Sequence, residues 1–381
     1  MYASERHPAQ NSQKDIPSVP LRRSILIGIL RLLISIVLVA IATFWAYLWL
    51  PANAVYQITE SYTFKAVDKQ ALVFLGVVLP RSNAYQTIDS VEVSWVGYHQ
   101  VDRKSYVDIY QLVGVVPSGK ELKAEVSYRV ILPQGQVSWE APVAERHLMP
   151  DSGIESDDPQ LMATALGFAG NDLFPKSFEI YSFTADHLQD AGNPNRKHLS
   201  ALDAFLSHSG TCLERARLMV ALCRAADIPA KVVMGTLLPD SLWIGQQKTV
   251  GRDCCGHAWV EFDGTGQWTM ADPTRGEGFL NKWRFYGRND GLHLSYGEID
   301  HVRLALSQIF DWVLRQGHLV EYGDSFLKYA VSSTEMVEVS PEATITKGWD
   351  GRWLNTLLVW LLTTFICYRI QKRYIIKIKD F

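Results

Sequence analysis

From Leu32 to Leu50 the chain carries no charged residue. A run of this kind is close to the roughly 20 residues an α-helix needs to cross a hydrocarbon core. Trp45, Tyr47 and Trp49 close its far end, where amphipathic rings favour the headgroup level. Arg22 and Arg23 precede it, with Arg31 close enough to snorkel toward the same side. A second apolar segment, Trp353 to Tyr368, is shorter and is followed by Arg369, Lys372, Arg373, Lys377 and Lys379. Basic flanks are retained on the cytoplasmic side, so the two ends give one topology independently. Residues 1–24 and 370–381 are expected to be cytoplasmic, 25–50 and 353–369 to be membrane helices, and the stretch between to lie on the periplasmic or extracellular side. Ala52-Asn53-Ala54 has the small-x-small form of a signal-peptidase site, so cleavage there is the alternative. The apolar run exceeds the roughly 7–15 residues of a signal core, which favours an uncleaved anchor. Either way the middle of the chain is exported.

The exported part is expected to fold. Twelve tryptophans and sixteen tyrosines are foreign to disordered chains, and the formal net charge of -3 gives no basic surface for nucleic acid. Five cysteines are too few for a disulfide scaffold in a chain this long. Over 52–148 apolar and polar residues alternate, as in Tyr56, Ile58, Tyr62 and Phe64, and again from Leu122 to Val130. That period, broken at Pro80, Pro117 and Pro133, predicts an antiparallel, half-buried sheet, in a small sandwich. After Pro150 the pattern becomes helical. Asp157-Asp158-Pro159 reads as a helix start, a second helix covers about 176–189, Asn193-Pro194-Asn195 breaks it, and Ser200 caps a short third. His301 to Gln316 carries Val302, Leu306, Ile309, Phe310 and Val313 on one face, a core-packing stripe. This gives a second domain over 150–330 and a polar linker over 331–352.

The second domain holds the chemistry-bearing residues. Gly210-Thr211-Cys212 leads into a helical run ended by Asp227-Ile228-Pro229, which sets Cys212 at a helix N-terminus. Unpaired N–H groups and the helix dipole favour a thiolate there. Gly256-His257-Ala258-Trp259-Val260-Glu261-Phe262 alternates as a strand with His257, Trp259 and Glu261 on one face. The turn Asp263-Gly264-Thr265-Gly266 returns the chain through Trp268 to Ala271-Asp272-Pro273. A hairpin of that form brings Asp272 beside His257, where a carboxylate orients and stabilises an imidazolium. Cys223 reads as a buried core thiol. Cys254-Cys255, adjacent to His257 in sequence, is either a pair of thiols, a structural bridge, or a redox partner for Cys212. No His, Cys and acidic spacing suggests a metal, and no cofactor is called for.

The segments GTCLERARLMVALCRAADIPAKVVMG, GHAWVEFD and ADPT resemble the transglutaminase-like superfamily over about 200–275, with looser likeness from His147 to Leu166. The resemblance implies an α+β fold: a papain-like transglutaminase core preceded by an antiparallel β-sandwich-like domain, here flanked by two transmembrane helices. It also implies a Cys, His, Asp order of catalytic groups. Cys212 is then the nucleophile, His257 the general base and acid, and Asp272 the orienting carboxylate. The expected activity is acyl transfer on amide bonds of exported proteins or peptides, with hydrolysis favoured over crosslinking. The alternative is a catalytically silent scaffold of the cell envelope.

Overall fold

The computed structural model describes residues 19–49, 52–104, 107–170, 175–191, 198–251, 256–264, 266–325, 327–349 and 356–369. It divides into two compact units, Met1–Tyr47 with Leu354–Phe381, and Leu48–Trp353.

A helix runs from Val19 to Trp49, nearly all of it in the first unit. Its window Gly28–Trp45 is the one among the described residues long and apolar enough to cross a membrane by length and composition. The second expected span contains a shorter apolar helix, Thr356–Arg369. At 1.5 Å per residue it covers roughly 21 Å, short of a hydrocarbon core of about 30 Å. The side chains of Arg22 and Arg23 and the basic tail 370–381 lie outside the described residues.

The second unit is mixed α/β with antiparallel sheets. Ala52–Ala66 pairs with Glu121–Gln136 on one side and Val337–Lys347 on the other. Gln247–Gly251 joins beyond Val337–Lys347, and Thr87–Ser94 and Arg288–Asn289 both pair with Glu121–Gln136. The opposing sheet runs His318–Asp324, Lys328–Ser333, Ala71–Pro80, Val107–Val116, Tyr98–Arg103. The sheets share one apolar core, in which Tyr56, Ile58, Tyr62 and Phe64 meet Val73, Leu75, Val77 and Leu112. Each such side chain contributes about 1.5–3 kcal/mol by leaving water. The helix Ile299–Gln316 packs Val302, Ile309 and Val313 on the outer face of the second sheet, with Leu306 and Phe310 partly buried beside them.

Two expectations are corrected here. The stretch 331–352 is not a linker: 331–333 belongs to Lys328–Ser333, and Val337–Lys347 is a central strand of the first sheet. Its polar residues sit at alternate positions, while Val337, Ala343 and Ile345 are buried on the inward face. Nor is the sandwich confined to 52–148. Gln247–Gly251, Arg288–Asn289 and His318–Asp324, expected in the second domain, add strands to it. Leu48–Trp353 is accordingly one compact unit rather than two in series.

The third sheet positions the site. Its order is Trp268–Ala271, Gly256–Asp263, Ala230–Leu237, His293–Glu298. The helix Cys212–Ala225 packs on one face, buried from Leu213 to Arg224, and Pro159–Leu166, Lys176–His187 and Ala201–Ser207 surround it. The predicted caps hold: Asp158 accepts the N–H groups of Gln160 and Leu161, and Ser200 that of Asp203. Three buried arginines on the central helix satisfy carbonyls around it, Arg215 at Ala185, Arg217 at Leu199 and Arg224 at Ala230 and Met149.

Candidate active site

Cys212 is half-buried at the first position of its helix, after Thr211 as N-cap. The turn that places it is built around Glu214. This wholly buried carboxylate accepts the Thr211 N–H at 2.8 Å, the Thr211 hydroxyl, the Leu199 N–H at 3.0 Å and His198 Nδ1 at 3.0 Å. It therefore closes the helix N-terminus and ties residues 198–199 to it. Gly210 lets the chain enter this turn, since a Cβ there would lie 2.8 Å from Glu214 Cβ and 3.0 Å from Leu188 Cδ1.

Burial opposes the Glu214 charge, but the donors from Thr211, His198 and Leu199 outweigh it and lower the pKa to about 2 from 4.5. An acid depressed on folding stabilises the fold fully above about pH 4.5 and loses that contribution as pH falls toward 2. The linkage is worth about 3 kcal/mol. Glu214→Gln is expected to flatten this limb of the stability curve and to lower the melting temperature at neutral pH. Thermal unfolding of both proteins between pH 2 and 7 checks it.

His257 sits on the inner strand Gly256–Asp263, opposite Gly235. Alternation sends Ala258, Val260 and Phe262 into the cluster around the Cys212 helix, and Trp259 to the other face with Tyr85, Val233 and Met270. The hairpin forms as expected, with Val260–Asp263 pairing with Trp268–Ala271. Asp272, the next residue, is 1% exposed. Its Oδ1 accepts the N–H groups of Thr274 at 2.9 Å and Arg275 at 3.3 Å, an Asx-type turn. Its Oδ2 lies 2.9 Å from His257 Nε2. Cys212 is near enough to the same imidazole to help hold its proton, and with Nε2 committed to Asp272, Nδ1 is the nitrogen left for a sulfur partner. Burial works against a charged His257, but the Asp272 carboxylate, assisted by Cys212, holds its pKa well above the usual value. Burial likewise opposes the Asp272 charge, and the two flanking imidazoles keep it well below the usual carboxylate range. The structure thus brings together all three residues singled out in the sequence.

A fourth group was missed. His293, on the strand beyond Ala230–Leu237, places Nε2 3.0 Å from the same Asp272 Oδ2 and Nδ1 2.8 Å from Asp290 Oδ1. Asp290 in turn pairs with Arg275 at 3.1 Å. No local motif marks His293. Its one sequence signal is the acidic residue three positions earlier. Trp259 spans both imidazoles, near-parallel to His257 at 6.2 Å and edge-on to His293 at 5.0 Å. His257, Asp272 and His293 are the one group of three His, Cys, Asp or Glu ligand atoms within 4.8 Å of one another among the described residues. Separations of 2.9 and 3.0 Å from each Nε2 to Oδ2 are those of charge-assisted hydrogen bonds, and we read the group as a hydrogen-bonded chain.

The remaining residues fall as follows. Cys223 is fully buried and its thiol is pushed up to about 12 by burial, so alkylation of the folded chain at pH 8 is expected at Cys212 and not at Cys223, read by peptide mass spectrometry. Glu261 is buried and paired, with Lys231 at 3.1 Å and with the Tyr85 hydroxyl. Cys254 and Cys255 lie outside the described residues.

Residues 163–273 match the family model of the transglutaminase-like superfamily. A comparison with curated proteins finds no match. Among solved structures, a candidate cysteine protease from Cytophaga hutchinsonii aligns at 16% identity and TM-score 0.44, covering 78% of this chain and 93% of that one. The periplasmic domain of TgpA from Pseudomonas aeruginosa aligns at 17% identity and TM-score 0.27, covering 55% of this chain and 88% of that one. At these scores the two likenesses carry no argument of their own. The family match begins upstream of the motif-bearing segment and ends one residue past Asp272; over residues 163–273 this chain is similar to the transglutaminase-like superfamily.

Proposed function

We propose that the chain is a membrane-anchored cysteine enzyme that transfers acyl groups from amide bonds through a Cys212 thioester. The observation that carries this reading is the buried pairing of His257 with Asp272 at 2.9 Å, beside Cys212 at the N-terminus of its helix. The Cys212 thiolate attacks the amide carbonyl, and the Cys212 N–H in the first turn of its helix donates to the developing oxyanion. His257 gives its proton to the leaving amine as the C–N bond breaks and the C–S bond stands. Water then attacks the thioester. His257 takes the proton from that water, the acid is released, and the thiolate is restored. An amine in place of water would give a crosslink. Hydrolysis is the preferred outcome, since water reaches a half-buried sulfur without a dedicated acceptor site.

The long apolar helix near the N-terminus supports anchoring, and the basic residues flanking both apolar segments support cytoplasmic ends with the enzyme outside. The second segment would have to draw residues beyond Thr356–Arg369 to span the bilayer. Substrates would then be exported proteins or peptides of the envelope. An iodoacetamide or peptide-amide electrophile should label Cys212 selectively, and the labelling should vanish in His257→Ala. Envelope fractions digested with the wild type and with Cys212→Ala should differ in new amine termini. Equal reactivity of all exposed thiols, together with identical digests, would favour the silent scaffold.

A further inference from the structure

We propose that His293 is a positioning residue, held as an imidazolium between Asp272 and Asp290, which orients Asp272 for His257 and sets the pH range in which Cys212 and His257 form their charged pair. Both nitrogens of His293 face carboxylate oxygens, Nε2 at 3.0 Å from Asp272 and Nδ1 at 2.8 Å from Asp290. An ionised carboxylate only accepts, and a neutral imidazole has one N–H and one lone pair. A neutral ring would therefore set a lone pair against an anion in a site that is 1% exposed, and only the doubly protonated ring satisfies both neighbours. Burial disfavours that charge, yet the two carboxylates prevail and His293 is shifted up.

The groups that bear on it form an alternating series. Arg275 pairs with Asp290, Asp290 with His293, His293 with Asp272 and Asp272 with His257, whose charge Cys212 also favours. Asp290 also accepts the Leu292 N–H at 2.9 Å, Trp259 contributes its ring edge, and the Tyr181 phenol lies in the field of Asp272. Two consequences follow for the reading proposed above, on which this one rests. Asp272 has four acceptor directions, and His257, His293, Thr274 and Arg275 fill all of them, so the carboxylate cannot rotate. The same Oδ2 is also shared between two imidazoles, so its hold on the His257 proton is weaker than an unshared carboxylate would give.

The test reads thiolate formation rather than amide cleavage, so the two proposals can fail separately. The full-length chain in detergent micelles is alkylated with iodoacetamide over a pH series, and modification of Cys212 is followed by mass spectrometry. His293→Gln keeps an N–H for Asp272 and removes the charge. Losing a nearby cation makes the Cys212 thiolate harder to form and the His257 proton harder to lose. Both midpoints should move to higher pH by about one unit or more, at an unchanged maximal rate. His293→Leu removes the donor too, so the same shift should come with a maximal rate lowered about tenfold or more. Midpoints identical to wild type in either variant overturn the proposal. Histidine ¹⁵N spectra of the wild type at pH 8 give a reading that needs no variant. A His293 ring protonated on both nitrogens supports the proposal and a neutral ring overturns it. Shifted profiles in a chain that cleaves no amide would leave the role of His293 standing and remove the enzymatic reading.

Discussion

Asp272→Asn is expected to lower amide turnover by roughly 10²–10⁴-fold while leaving the fold intact. The geometry dictates how the new amide must sit. Oδ1 of Asp272 accepts two backbone N–H groups, from Thr274 and Arg275, so an asparagine there must keep its carbonyl oxygen at that end. Its NH₂ is then forced toward His257 Nε2 and His293 Nε2, which face Oδ2 now. Two donors would meet, and His257 must release its Nε2 proton to accept instead. That leaves the proton on Nδ1, directed at the sulfur, and takes away the anion that stabilised the imidazolium. Cys212 becomes an ordinary thiol beside a neutral ring. Alkylation rates at pH 7 alongside turnover of an envelope digest would measure the effect. Rates within twofold of wild type would show that Asp272 neither orients nor charges His257. The same replacement at Asp290 should do less, because Asp290 acts one group further away.

Gly235→Ala carries the largest expected cost in stability, about 3 kcal/mol or more. Gly235 lies opposite His257 on one side and Ser295 on the other. A Cβ on it would overlap the Leu294 carbonyl oxygen and the six-membered ring of Trp259. Neither can yield cheaply. The carbonyl belongs to a strand held by its ladder, with a register shift just beyond at Ser295 and Gly297. Trp259 is fully buried between the two imidazoles and Tyr85. The strain would be relieved by tilting Trp259, which moves His257 as well. Denaturant unfolding of the full chain should show the loss, and Cys212 alkylation of the remaining folded fraction should slow with it. A variant with wild-type stability would mean that the strand opens without cost, against the packing described above.

The groups legible in the sequence are those whose neighbours in space are also neighbours in the chain. Cys212 announces itself by Gly210, Thr211 and the helix that follows, and Asp272 reaches His257 through a short hairpin. His293 does not announce itself. It meets Asp272 because its strand pairs with Ala230–Leu237, on the other side of the His257 strand, and nothing in residues 290–298 encodes that pairing. The sandwich repeats the lesson. Period-two alternation marks Ala52–Ala66 and Glu121–Gln136, but Val337–Lys347 is rich in Glu, Ser and Thr and reads as polar linker until its alternate residues are seen facing inward. Glu60 shows the converse. It occupies an inward position in Ala52–Ala66, fully buried, where the pattern calls for an apolar side chain. The hydroxyls of Tyr62 and Tyr128 reach it at 2.7 and 2.9 Å. Burial raises its pKa to about 7 against those hydrogen bonds, a compensation that depends on a strand 68 residues away.

Ala52–Ala66 and Val337–Lys347 are adjacent antiparallel strands, and they are also the first and last strands of their unit. Their outer ends meet at Tyr56 and Lys347, where the Gly348 N–H donates to the Val55 carbonyl at 2.8 Å. A tension drawing the two ends of the unit apart would thus act across a ladder whose bonds lie along the pull. It would open the rungs singly, like a zip, rather than loading all of them at once as a shear would. Mechanical resistance is low in that geometry, and the rungs at Tyr56 and Lys347 are the first to part. The two ends of the unit emerge side by side at that end of the ladder, which makes this pair of strands a natural place to splice the unit into a longer protein or to close it into a ring.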